Sequence, residues 1–290
     1  MTVAHPDFHR PDSLDQALII AAGGGVTLAA GYTDLFAATQ AQTLPGPVLD
    51  LTGIAGLRGI SRGATAWRFG ATTLWGDVAN AELPPAFDGL KQAAAEVGST
   101  QIQNAGTMGG NLCNASPAAD GIPPLMTLNA SVELTSRTGT RHLDLADFVT
   151  GPGQTALLPG EILTAIHVPE PSGHGAFVKL GARKHLVISI AMVAARITLA
   201  QGRIIDAALS VGACGPTARR LTGQEAALIG LGGDTAIAAI TPDLVAAPLT
   251  PIDDLRADAP YRLTSATELT RRLVASLLRG GGGQPGGTAP

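Results

Sequence analysis

The sequence predicts an α+β fold built in two parts, and three observations carry that prediction. Segments of helical and strand character follow one another without regular alternation, in the order helix, strand, loop, strand, strand, helix, helix up to Gly98. Two later pairs of apolar runs are joined through glycine turns, as antiparallel hairpins require. The glycines after the first helix do not complete Gly-x-Gly-x-x-Gly, since three positions beyond Gly25 stands Leu28, and Gly-x-x-x-x-Gly-Lys is absent; both weigh against a doubly wound nucleotide fold.

Taken in order, Ser13 and Gln16 have the spacing of a capping box. Leu14, Ala17, Leu18 and Ala21 then recur at helical intervals until Gly23, Gly24 and Gly25 stop the turn. Val26 to Ala30 reads as a buried strand, Val48 to Leu51 as a second and Trp67 to Ala71 as a third. Thr73 is placed to cap a helix through Ala79, and Phe87 to Val97 forms a helix closed by Gly98. Ser99 to Asp120 is dense in small and polar residues, and Gly121 to Asn129 is helical after its prolines. Val132–Leu134 and Arg141–Leu143 flank a Gly139 turn, and Ile162 to Val168 is a strand ending at Pro169. The turn-rich stretch Glu170–Gly175 marks the boundary between the two parts. Beyond it, Phe177–Leu180, Ile188–Ala200 and Arg203–Ala213 read as strands, the last two joined by Gln201-Gly202. Helices follow near Gly223–Ile229 and Asp234–Ile240. A final helix is expected from Ser265, with Leu269, Leu273 and Leu277 on one face. The glycine-rich residues 280–290 cannot bury apolar surface and read as a disordered tail.

Composition narrows the function. At 290 residues, 45% hydrophobic and 14% charged, the chain can bury the cores of two domains. A net charge of −4, 3% aromatics and no dense Lys/Arg run exclude a nucleic-acid surface. Cys113 and Cys214 are too few for an iron–sulfur cluster or a disulfide framework. The uncharged stretch Ala17–Thr33 is broken by three glycines, so no transmembrane segment is expected. The first residues lack a basic segment and apolar core. The chain is thus expected to be soluble and cytoplasmic.

Two segments are candidates for chemistry. Ala30, Gly31, Tyr32, Thr33 and Asp34 form a glycine turn directly after a buried strand. Gly106, Thr107, Met108, Gly109, Gly110 and Asn111 form a glycine-rich run whose amide N–H groups would make a concavity for a diphosphate. Ser116 adds a neutral donor, and Asp120 an acceptor for sugar or ribityl hydroxyls. Ordinary tight turns have the same composition, and the residues alone leave both readings open. The six histidines are scattered, the pair His5/His9 is interrupted by Pro6, and no metal site is assigned. No Ser-His-Asp constellation and no catalytic acid or base is identified. That silence suits a chain that holds an organic cofactor.

The run Thr107–Asp120 resembles the FAD-binding subunit of the xanthine dehydrogenase and carbon monoxide dehydrogenase family, with its Gly-Thr-(Ile/Val/Met)-Gly-Gly-Asn segment followed by Ser-Pro and Asp. Ala30–Leu35, Gly160–Leu163, Phe177–Lys179, Tyr261-Arg262 and Arg271-Arg272 also match, so the resemblance covers nearly all of residues 3–279. It implies an FAD domain of the vanillyl-alcohol-oxidase (PCMH) type at 1–172, with subdomains of about 1–55 and 56–172. A small domain at 173–279 would follow, carrying a three-stranded antiparallel sheet packed by helices. By the same resemblance, loops 30–34 and 107–111 hold the FAD diphosphate, Asp120 meets hydroxyls, and Leu163 and Lys179 lie near the flavin ring. Two departures stand out. Tyr32 replaces a glycine of the first loop, and His185 stands where the family often has an acidic residue.

The function implied is electron transfer in a molybdenum hydroxylase. Substrate would be oxidised at a molybdopterin-binding large subunit. Electrons would pass through [2Fe-2S] clusters of a small subunit to FAD on this chain, and on to an external acceptor. A dimer of heterotrimers is the assembly the family suggests. The alternatives are a stand-alone flavin-dependent oxidoreductase of the same fold, or a scaffold that lost its cofactor.

Overall fold

The computed structural model describes residues 8–39, 44, 46–184 and 186–280. The hydroxyl of Ser13 accepts from the Gln16 N–H and so caps the helix Leu14–Ala22, as the spacing predicts. That helix covers a small parallel sheet of β1 (Phe8–His9), β2 (Thr27–Ala29) and β3 (Val48–Asp50), in the order β1-β3-β2. Ala17, Leu18, Ala21, Leu49 and Leu51 form its core, which reaches across to Ile162.

A five-stranded antiparallel sheet follows, in the order β4-β5-β10-β6-β7. Its first four strands in sequence are β4 (Ile60–Arg62), β5 (Ala66–Gly70), β6 (Ser131–Ser136) and β7 (Gly139–Asp144). A short hairpin of β8 (Val149–Gly151) and β9 (Gln154–Thr155) precedes β10 (Ile162–Pro169). Alternation along β6 and β10 sends Val132, Leu134, Ile166 and Val168 into a core with Trp75, Phe87, Leu90, Met108 and Phe148.

β11 (His174–Leu180), β12 (Ala191–Ala200) and β13 (Arg203–Gly212) are the three expected antiparallel strands, and the two-residue β14 (Arg219–Arg220) adds a fourth at the edge. The helix Asp88–Glu96 lies against β11. A Cβ on Gly89 would come within 2.9 Å of the Ala176 carbonyl oxygen, and one on Gly175 within 2.3 Å of that of Ala86.

Three boundaries differ from the sequence expectation. Thr73 does not cap the helix Trp75–Asn80; Asp77 accepts from the Leu74 N–H, while the Thr73 hydroxyl bonds to Gly59. The final helix runs Ala259–Gly280, beginning six residues before Ser265. Asp258 caps it by accepting from the Tyr261 N–H at 2.7 Å, and Pro260 fits because a first-turn N–H has no helical partner to lose. A short helix Pro242–Ala246 was not anticipated. Gly280 ends the last helix, and the rest of the expected tail lies outside the described residues. Among the described residues, no helix is long and apolar enough to cross a membrane.

Arg262, in the matching Tyr261-Arg262 pair, is 2% exposed. It donates to the carbonyls of Ile190 and Ala213 and to Asp254, so it ties the final helix to the ends of the third sheet.

Candidate functional site

The two candidate segments meet. A cleft of about 660 Å³ is lined by Ala30, Gly31, Tyr32, Thr33 and Asp34 on one side and Thr107, Gly110 and Asn111 on the other. Its volume lies within the roughly 300–1,000 Å³ of cofactor sites. Trp75, Val97, Ile102 and Cys113 also line it. Trp75 is brought beside the glycine run by the Leu74–Thr107 bridge and by its own N–H, which donates to the Gly106 carbonyl, contacts the sequence does not announce.

Backbone contact locks the two segments together. A Cβ on Gly31 would stand 2.2 Å from the Ala105 carbonyl oxygen and 2.8 Å from Gly106 Cα. Gly31 is therefore required for loop to touch loop. The glycine run itself is no open nest but the start of the helix Met108–Asn114. Thr107 caps it, accepting from the Gly110 N–H at 3.0 Å. The N–H groups of Met108 and Gly109 donate to the Thr73 and Ala71 carbonyls, and that of Asn111 to Thr107. These donors, expected to face a diphosphate, are already satisfied. Met108 and Gly109 are accordingly buried behind the cleft wall.

The first loop is the opposite case. Among the described residues, the backbone N–H groups of Gly31, Tyr32, Thr33, Asp34 and Leu35 find no protein acceptor. Tyr32 has φ +60°, a left-handed conformation, and Asp34 returns to the right-handed region. Consecutive backbone N–H groups left open in such a turn are available to a shared anion. Tyr32 thus takes the backbone form expected of the glycine it replaces, at a cost of about 1–3 kcal/mol. Its ring stacks on Phe36 with centroids 5.3 Å apart. Burial, then the neighbouring Asp50 carboxylate, pushes its phenol up to about 12.

Among the described residues no Lys or Arg lines the cleft and the Asp34 carboxylate does, so a bound anion would depend on the backbone N–H dipoles. Asn111 adds a buried Oδ1 with no hydrogen-bond partner among the described residues. A buried acceptor without a donor is costly, and a ligand hydroxyl or amide would satisfy it. Open N–H groups, an orphaned acceptor and sufficient volume together fit a dinucleotide diphosphate and its sugar.

The other candidates lie off the lining of this cleft. The ammonium of Lys179 donates to Asp120 Oδ2 at 2.8 Å and to the Glu96 carbonyl at 3.2 Å, and Ser189 donates to Asp120 Oδ1 at 2.9 Å. Asp120 and Lys179 thus form one buried ion pair, and burial holds the Asp120 carboxyl above its ordinary value despite Lys179. Leu163 is a core residue of β10, and Ser116 closes a local turn by accepting from the Ala118 N–H. Glu161, two residues before Leu163, makes a two-pronged pair with Arg141 at 2.7 and 2.9 Å and also caps Leu158 N–H. His5 and His185 lie outside the described residues.

Residues 3–171 match the family model of the FAD binding domain in molybdopterin dehydrogenase, and residues 176–277 match the CO dehydrogenase flavoprotein C-terminal domain. The carbon monoxide dehydrogenase medium chain of Afipia carboxidovorans is 32% identical over 281 residues, 92% of this chain and 95% of that one. The nicotinate dehydrogenase FAD-subunit of Eubacterium barkeri is 46% identical over 106 residues, 35% of this chain and 36% of that one. A chain of reconstituted CO dehydrogenase from Oligotropha carboxidovorans superposes with a TM-score of 0.87 at 28% identity, covering 96% of this chain and 99% of that chain.

Proposed function

Because the chain belongs to the FAD-binding medium-subunit family of the molybdopterin dehydrogenases, we propose that it is the electron-transfer subunit of a heteromeric molybdenum hydroxylase. It would take electrons from [2Fe-2S] clusters of a small partner subunit and pass them to an external acceptor. The substrate would react on a molybdopterin-binding large subunit. A dimer of heterotrimers in the cytoplasm is the assembly this reading favours. The free thiols of Cys113 and Cys214 are in keeping with it.

The observation that carries the cofactor assignment is the run of open N–H groups from Gly31 to Leu35, facing Thr107 and Asn111 across one cleft. These N–H groups would hold the FAD diphosphate, and Asn111 Oδ1 would accept from the same molecule. We assign Asp120 to sugar or ribityl hydroxyls, and Leu163 and Lys179 to the ring. When bound, FAD supplies the exchange of one and two electrons that no side chain can provide. The chain contributes position and a dry surrounding: Trp75, Val97 and Ile102 wall the cleft, and Lys179 carries a fixed positive charge anchored by Asp120.

The relatives named above act on carbon monoxide and nicotinate, so nothing in this chain singles out a substrate. Purification of the native assembly tests the reading. Molybdenum and iron should accompany this chain in constant ratio, and an assembly with neither metal would refute it.

A further inference from the structure

The solvent face of the five-stranded sheet holds a cluster that no motif in the sequence announces. Because Val132, Leu134, Ile166 and Val168 point into the core, Glu133 and His167 point the other way. The register sets His142 of β7 opposite Glu133 of β6, and Ala165 of β10 opposite Glu133 on the other side. His167 is two residues further along the same face. Its Nε2 stands 2.9 Å from Glu133 Oε2, and the rings of His142 and His167 are 5.1 Å apart between centroids. One donor atom from each of the three residues lies within 4.8 Å of the others.

We propose that Glu133, His142 and His167 form a binding site for a divalent transition cation of the zinc class, spanning strands β10, β6 and β7. Two imidazoles and one carboxylate are a common zinc donor set, and a water completes the tetrahedron. Bonds of about 2.0–2.1 Å in that geometry put donor atoms roughly 3.3 Å apart, so the present spacing closes with side-chain rotation alone. Glu133 is already oriented: Thr164 donates to its Oε1 at 2.7 Å, which leaves Oε2 toward the histidines. Such an outer partner of a metal-binding carboxylate is itself part of a metal site. Arg68 approaches the same carboxylate, but only to 3.7 Å and on the Thr164 side. A bound cation would clamp the edge strand β7 to β10 across β6, and its role would be structural rather than redox.

The test uses the full-length chain, untagged and stripped with a chelator, titrated with Zn²⁺ by calorimetry. One saturable site is expected. Loss of an outer partner typically weakens a metal site about 10–100-fold, so loss of a ligand in His142→Ala or His167→Ala should cost at least about 100-fold. His174→Ala, on β11 of the other sheet, should bind as the wild type does, and Zn²⁺ should raise the wild-type Tm. Zinc absorption-edge spectroscopy on the wild type needs no variant and should show two imidazoles without sulfur. Absence of a saturable site, a site that survives both histidine substitutions, or a thiolate among the ligands would overturn the proposal. The plain His167–Glu133 hydrogen bond would then be the whole role of these groups.

Discussion

Replacing Gly31 by alanine tests whether the cleft is held by backbone-to-backbone contact. The added Cβ would stand 2.2 Å from the Ala105 carbonyl oxygen, 2.8 Å from Gly106 Cα and 2.9 Å from the Ala105 carbonyl carbon. All three are main-chain atoms, so no side chain can swing aside. The loops must part by about 1 Å to reach ordinary contact distances, and overpacking of this kind costs roughly 1–3 kcal/mol. The shifted element carries the open N–H groups of Gly31 to Leu35, so the cost falls on cofactor binding. At 1.4 kcal/mol per tenfold, FAD affinity should drop about 5- to 150-fold. Titrating cofactor-free protein with FAD while following fluorescence of Trp75, which lines the cleft, measures it directly. Gly56→Ala is the control, because a Cβ there meets nothing within 4 Å. If Gly31→Ala bound FAD within a factor of two of the wild type, the loop contact would not position the N–H groups and the argument would fail.

Three further outcomes follow from the geometry. Asp120→Asn leaves the buried Lys179 charge uncompensated and should cost about 3–5 kcal/mol in urea unfolding, most of it regained in Asp120→Asn with Lys179→Met; equal single and double losses would show the pair is not coupled. The wild-type minus Tyr32→Phe difference in phenolate absorbance should rise at a pH of about 12 rather than 10.0, the ordinary value. The folded chain then keeps a proton that the unfolded chain releases, so stability falls as pH rises between those values; a midpoint at 10.0 would contradict the burial of that hydroxyl. Arg141 holds Glu161 below the ordinary 4.5, so the pair stabilises fully above that pH and its contribution is lost as pH falls further. Glu161→Gln should lower Tm at neutral pH, and the gap should close in acid; a constant gap would mean the carboxylate charge plays no part.

Much of the fold is legible because its signals are local. Ser13 with Gln16, the Gly139 hairpin and the Gln201-Gly202 turn each depend on neighbours a few residues away, and each forms as read. The last helix misleads for the same local reason. Ser265 to Glu268 has the spacing of a cap, yet Asp258 caps the helix earlier, and Pro260 sits in the first turn, where a proline costs little.

At the site, both loops were identified from glycine placement, but their division of labour was not. Whether the N–H groups of Met108 and Gly109 are open depends on Thr73 and Ala71 supplying acceptors, a tertiary fact invisible in the motif. Tyr32 hid the conformation its neighbours impose. Trp75 and the unpartnered Asn111 Oδ1 emerge only when distant segments meet, as do Glu133, His142 and His167, which pairing across three strands brings together.

The central claim is that this chain holds FAD between residues 30–35 and 107–114. The most direct test is the visible absorption spectrum of the purified chain, followed by release and identification of any chromophore. The account predicts the bands of an oxidised flavin, released as intact FAD, from the wild type, and marked depletion in Gly31→Ala. A colourless chain that takes up no added FAD, alone or with its partner subunits, would contradict it.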